Sequence, residues 1–438
     1  MIKKWLLVTI AGVLCLSAFS FALLRANGYF SSDGAVAATA GANAAASAAV
    51  PALEHTPAPQ PTATPSPTPS PTPSPTPVPT PTPRPVSATT GRDYQSIANP
   101  TYQPVMISIE NASAARPQVA LNLADIIYEA PVEYAITRFH CIFNDTYPAF
   151  AGPVRSSRVY FMRLQQEWNT MYIHRGYGGL EYDRDWVGIH VEPYLMDTGT
   201  MFWRMNTGAK KEHTLMANIP EIVAEWCPGN IAVPFERFTF EKGAGHGEGK
   251  AFERVSLNFF YRGKKEKDRI TFVYNDDDNT LSRYQDGKIF KTRTPTAGRS
   301  AGTARTTKED FVTQNLIVQY VSAMELGDAK KHRNLDLSGE GLCDYFINGR
   351  HFTGRWFRAD YDADRTIYYL DDGTKLALEP GHTWICLHPN DFTVSPVVIH
   401  YADGTTLARE SNELTEAYIQ ASAERFAADD SRLLSGGD

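Results

Sequence analysis

The chain has 438 residues, a formal net charge of −7, and 42% hydrophobic against 21% charged residues. The negative balance argues against nucleic acid as the main partner. At ~100–200 residues per domain, the part of the chain with ordinary globular composition predicts two domains.

Residues 1–25 read as a signal anchor or transmembrane helix. Lys3 and Lys4 precede an uncharged apolar run, Trp5 to Leu24, about the length needed to cross a ~30 Å hydrocarbon core. Positive charge ahead of the run and no basic cluster directly behind it predict the N-terminus inside and the bulk outside. Cleavage after Ser20-Phe21-Ala22 is the rival fate and would give a secreted form. Cys15 invites a lipid-anchored form, but Leu14 stands where Gly, Ala or Ser normally precedes a lipidated Cys.

Residues 26–95 read as a disordered spacer and stalk. From Pro57 to Pro85 nearly every second residue is Pro, with Thr and Ser between. Proline fixes φ and lacks an N–H, so neither helix nor sheet ladder can form. The expected conformation is polyproline II, a semi-rigid spacer of about 90 Å. A ligand for proline-binding domains and an O-glycosylated stalk are the other readings of this composition.

Residues 96–245 predict an α/β domain, a mixed sheet with helices. PVMISIE, ADIIYEAPVE and ITRFHCIF have strand composition. VRSSRVYFMRLQQEW follows, with Val159, Met162, Leu164 and Trp168 near helical spacing and Ser156 or Ser157 as N-cap. MYIHRGYGG is a further strand running into a Gly-rich turn. EKGAGHGEGK, 241–250, has the composition of a flexible connector. Residues 246–405 predict a mainly β domain of short strands, with Asp286-Gly287, Asn348-Gly349 and Asp372-Gly373 as hairpin turns. Residues 406–438 predict a helical tail. Five cysteines are few for an exported protein. Outside the membrane run, Cys141, Cys227, Cys343 and Cys386 allow three pairings, while Cys141 and Cys386, in apolar strands, read equally well as buried free thiols. The absence of C-x-x-C argues against a thiol-linked zinc site.

The block PVMISIENASAARPQVALNLADIIYEAPVEYAITRFHCIF, then AGPVRSSRVYF and YIHRGYGG, resembles the YerB-like lipoprotein family of bacteria. The later run from QNLIVQYV through GEGLCDYFINGRHFTGRW to PGHTWICLHP resembles it too, so the likeness is collinear over about residues 100–390. The resemblance implies an exported, surface-attached protein of two domains of unknown function, with a role in the cell envelope. The chain departs from the family in lacking a proper lipobox and in carrying a C-terminal helical tail.

The chemistry of the first block centres on arginines. Arg155 and Arg158 flank Ser156-Ser157 at the expected helix start, where backbone N–H groups and the dipole favour an anion. With Arg116 and Arg138 they would form an anion pocket for a wall glycopolymer, a lipid-linked pyrophosphate or a peptide carboxylate. The plain alternative is a set of structural ion pairs with Asp125, Glu129 and Glu133. Glu129 and Glu133 bracket Ala-Pro-Val and, with Asn111 nearby, are candidates for general acid–base work or for holding a divalent cation such as Mg²⁺. His174 is a candidate base or ligand, and otherwise a hydrogen-bonded structural histidine. His213 is expected across the cleft, or else as a helix-entry residue. Asn275 to Asn279 read as a solvated turn. Asp360, Asp362 and Asp364 begin like a calcium loop but lack its Gly and terminal Glu. There is no G-x-S-x-G, H-E-x-x-H, Walker or Rossmann motif.

Two functions follow as expectations. The first is a membrane-anchored envelope protein that binds wall polymer, peptidoglycan or a wall-synthesis protein. The second is an enzyme acting on a phosphate-linked envelope precursor, by fold-level analogy with the LytR-CpsA-Psr glycopolymer transferases.

Overall fold

Side-chain alternation along the strands organises the fold. In β1, Val105–Glu110, the residues Val105, Ile107 and Ile109 join one apolar core while Met106 joins another on the opposite face. β2 is Ile126–Pro131 and β3 is Thr137–Phe143. Helix α1 spans Val159–Trp168, β4 spans Met171–Ile173, and α2 spans Ile219–Trp226. β1 pairs antiparallel with β3 and parallel with β4, and β3 pairs antiparallel with β2.

The computed structural model describes residues 85–178, 190–191, 200–227, 229, 231, 233, 238–245, 249–260, 269–327, 330–359, 365–390 and 397–409. All lie in the compact unit Thr80–Asp438, distinct from Met1–Pro79. The apolar run, the spacer and stalk up to residue 84, the aspartates at 360–364 and the tail beyond 409 lie outside the described residues. Of the expected spacer, 85–95 is ordered, with Ser87, Thr89 and Thr90 buried, and of the expected helical tail, Thr406–Arg409 is a strand. Among those described, no helix is long and apolar enough to cross a membrane.

The later strands are β5 (Lys250–Leu257), β6 (Ile270–Asn275), β7 (Thr280–Gln285), β8 (Lys291–Ala297), β9 (Arg305–Asp310), β10 (Asn315–Val321), β11 (Gly339–Ile347), β12 (Arg350–Arg358), β13 (Ile367–Leu370), β14 (Thr383–Pro389) and β15 (Val397–Tyr401). The described residues are thus sheet-rich with few helices. β14 pairs in parallel with β2, from Ile126 opposite Thr383 to Glu129 opposite Cys386. It also pairs with β10, which continues through β11 and β12 to β13. The central sheet therefore takes strands from both 96–245 and 246–405. A second layer, β15–β5–β6–β7, joins it where β5 meets β12.

One core fills the space between the two layers. Phe139, Phe272 and Phe311 surround Trp384 edge-on, with ring centroids 4.9–5.9 Å from it. The other core lies under α1, where Tyr160, Phe161, Leu164 and Trp168 pack on Met106, Ile126, Tyr128 and Ile142. Nine of the ten α1 residues are buried, so the expected stripe is a helix covered almost all round. Trp168 stays satisfied there by donating Nε1–H to the Tyr128 hydroxyl at 2.8 Å.

α1 starts at Val159 with Arg158 in the cap position, and neither Ser156 nor Ser157 caps it; the Ser157 hydroxyl donates to Arg158 O instead. Asn348-Gly349 and Asp286-Gly287 close two-residue turns with φ of 50° and 70°, and of 51° and 74°. Both residues of each turn are left-handed, as a type I′ turn demands. At Asp372-Gly373 only the glycine has positive φ, and the return is a single bridge, Tyr369 to Lys375. Asn275–Asn279 is a turn between β6 and β7. The expected connector is tied down over its first half, since Glu241 N–H donates to Leu378 O and Gly243 N–H to Glu379. The four cysteines are all free thiols, with Cys141, Cys343 and Cys386 buried.

Candidate functional site

Strand register decides which polar side chains meet. Glu110 lies opposite Arg138, and Ser108 opposite His140, all on the α1 face of the sheet. After β3 the chain returns along β1, with Arg155 N–H donating to Ser108 O at 2.9 Å, and then enters α1. This places Arg155 beside Glu110, with Nη2 3.0 Å from Oε1. His213, from a one-turn 3₁₀ helix, puts Nδ1 2.9 Å from the other oxygen. Glu110 is buried, so it anchors the Arg155 guanidinium and the His213 imidazole, both of which are partly exposed.

Arg158 is held by Glu133 through both carboxylate oxygens, Nε to Oε2 at 3.1 Å and Nη2 to Oε1. Burial pushes the Glu133 carboxyl up, but Arg158 beside it brings it below the usual range. Arg138 donates from Nη1 to Ser156 O at 2.7 Å. Burial, then the neighbouring Arg158, brings Arg138 down to about 10, so it stays charged at neutral pH. His140 stacks on Phe161 at 3.5 Å and meets the Tyr172 hydroxyl at 3.0 Å. Burial, then Arg138, pushes its basicity well down, which keeps the ring neutral. His174 is fully buried, its ring 4.7 Å from Tyr172 and 4.8 Å from Tyr177, with Nδ1 3.3 Å from Gly176 O.

The opposite face carries a different set. Arg116 donates to Asn111 Oδ1 at 3.0 Å and to Asn111 O at 2.9 Å. Asn111 Nδ2 reaches Thr137 Oγ1 at 2.7 Å, and Thr137 donates to Glu129 at 2.7 Å. Glu129 takes Arg283 Nη2 at 3.2 Å on each oxygen, both residues being fully buried. The Arg283 guanidinium lies 4.2 Å from the Phe290 ring centre and 5.1 Å from that of Trp384.

The four arginines therefore do not share one cleft. Arg138, Arg155 and Arg158 gather on the α1 face, while Arg116 belongs to the other. Glu129 and Glu133 are likewise separated by the sheet, each bound to its own arginine, so they form no carboxylate pair. Among the described residues no group of three His, Cys, Asp or Glu is placed to hold a metal. Asp125 sits at the start of β2, where it accepts from Thr89, Asn144 N–H and Asp145 N–H. Burial, then the Asp145 charge, raises its carboxyl to about 7.

Glu110, His140, Tyr172 and Arg283 are the residues of the candidate site that sequence reasoning passed over. The first two were reachable from the alternation of PVMISIE and ITRFHCIF, given the register. Arg283 meets Glu129 across 154 positions of sequence, and no local pattern announces it.

Residues 89–227 match the family model described as "Protein of unknown function (DUF3048) N-terminal domain", and 257–385 match its C-terminal domain. The chain is 26% identical over 291 residues to "Putative lipoprotein YerB" of Bacillus subtilis (strain 168), covering 66% of this chain and 82% of that protein. It also superposes on the crystal structure of YerB from Bacillus subtilis with a TM-score of 0.56 at 23% identity, covering 69% of this chain and 96% of the other.

Proposed function

Because the chain belongs to the DUF3048 family, both of whose domains it matches in order, we propose that it is an envelope protein, held outside the membrane by its N-terminal apolar run, that binds an anionic wall polymer. The lipoprotein name of the Bacillus relative supports the address, as do Lys3, Lys4 and the Pro-rich stalk. The observation that carries the binding reading is the cationic edge around Arg155. Arg155 is half-buried, while Arg175, Lys210 and Lys211 are exposed. Arg175 N–H donates to Arg155 O at 3.0 Å, and Arg155 Nη1 donates to Glu212 O at 3.3 Å, which draws these segments together. Arg204 closes the group by donating to Lys211 O. Against these cations stand Glu110, buried behind Arg155, and Glu212. A repeating polyanion gains from several such contacts at once, and the gain weakens as salt screens it.

The test is retention of the full-length chain on insoluble wall material that carries its anionic polymer, compared with the same material stripped of it, over a salt series. Retention only on the polymer-bearing wall, released by about 0.5 M salt, is the expected result. The enzyme reading draws on the Glu110–His213 pair, which holds an imidazole at the same edge in the manner of an oriented base. Turnover of a polyprenyl pyrophosphate-linked glycan with Mg²⁺, lost in His213→Gln, would favour it over binding alone.

A further inference from the structure

On the face of the central sheet away from the cationic edge, the geometry points to a second binding site, a cavity that takes one ring of a neutral saccharide through Gln285 and Glu129. The cavity holds about 160 Å³ and lies between the β2–β3 hairpin and the second layer. Its position follows from alternation on β7, where Leu281, Arg283 and Gln285 all point inward. Leu281 enters the apolar core and Arg283 is used by Glu129. Gln285, next in the row, reaches the cavity wall. It is 8% exposed, and its Oε1 has no donor. A buried amide oxygen left unpaired is costly, and this one belongs to a residue on the cavity wall.

Glu129 adds a second acceptor. Its Oε1 already receives Thr137, Asn111 and Arg283, whereas Oε2 receives Arg283 alone. Arg283 neutralises this carboxylate and Arg116 also lines the cavity, so the site offers acceptors without net negative charge. That favours O–H and amide N–H donors over an ammonium group. Phe259, Phe260, Ile136 and Ile270 supply the apolar part of the wall, suited to the C–H face of a ring. The volume is about half the ~300 Å³ lower end for drug-sized ligands, which is room for one ring. Ala135, which lines the cavity, and its neighbour Tyr134 hold φ of 52° and 61°. Two adjacent non-glycine residues in left-handed conformation are a strain that folds keep at ligand sites.

The probe is N-acetylglucosamine, which carries hydroxyl and amide donors on one ring, titrated into full-length chain in a sugar-free detergent and followed by saturation-transfer NMR and calorimetry. Saturable binding is expected, weakened at least about tenfold in Gln285→Met with melting temperature unchanged or raised, and weakened again in Phe260→Ala. Lys210→Ala/Lys211→Ala, on the opposite face, should leave this binding intact. The proposal is overturned by no saturable binding up to about 50 mM, by undiminished binding to Gln285→Met, or by an equal response to sorbitol.

Discussion

Replacing Asp125 with Asn should stabilise the protein at pH 8 and by only about a third as much at pH 5. Asp125 is buried beside Asp145, and its carboxyl is raised from 3.8 to about 7, first by burial and then by the Asp145 charge. Between those values the unfolded chain has lost this proton while the folded chain keeps it, so this group makes stability fall as pH rises from about 4 to 7. Above pH 7 the penalty is fully present. A tenfold change in proton affinity is about 1.4 kcal/mol, so the rise sets an upper bound of about 4 kcal/mol, and relaxation around the buried carboxylate brings the expectation to ~1–3 kcal/mol. The geometry accommodates Asn without rearrangement. Thr89 Oγ1, Asn144 N–H and Asp145 N–H all donate to the one oxygen, Oδ2. An amide can keep an acceptor there and turn its NH₂ toward Asp145. Urea unfolding of both proteins at pH 5 and pH 8 gives the comparison. Loss of stability in the variant at pH 8, or a gain of the same size at pH 5, would refute the reasoning.

Arg283→Met should cost about 3–5 kcal/mol, because it leaves Glu129 charged and buried without its partner; adding Glu129→Gln should recover much of that loss in the same denaturant titration. A double variant no better than the single one would show that Arg283 matters for its ring contacts and not for its charge. Among Cys141, Cys227, Cys343 and Cys386, native-state labelling by a thiol reagent should mark Cys227 first, since the other three are fully buried and burial pushes their thiols well up. Rapid labelling of Cys141 would contradict the packing described for β3.

Local chemistry made much of the fold legible. Asn348-Gly349 marks its turn because both positions need left-handed backbone, and VMISIE and TRFHCIF announce strands by composition and alternation. The β8–β9 ribbon escaped because it buries little beyond Thr292, carries Pro295 and shows no apolar rhythm. The connection of the two segments escaped for a different reason: β2 and β14 pair across more than 250 positions, and nothing in either strand names its partner. The same limit divided the candidate site. Arg155 and Arg158 were found by nearness in sequence, but which face Arg116, Arg138 and Glu129 would take depends on register, where one position exchanges the two sides of a sheet. Glu110 was passed over as a strand end, although being last on the α1 face is what lets it hold Arg155 and His213.

The central claim is that the edge around Arg155 binds wall polyanion. Arg155→Ala would uncover a buried Glu110, so the direct measurement uses the exposed lysines: co-sedimentation of full-length wild type and Lys210→Ala/Lys211→Ala with polymer-bearing and polymer-stripped wall, at low and high salt. The account predicts that the double variant keeps its melting temperature and loses most of its salt-sensitive retention on polymer-bearing wall. Equal retention of both proteins, or retention of wild type on stripped wall to the same extent, would contradict it.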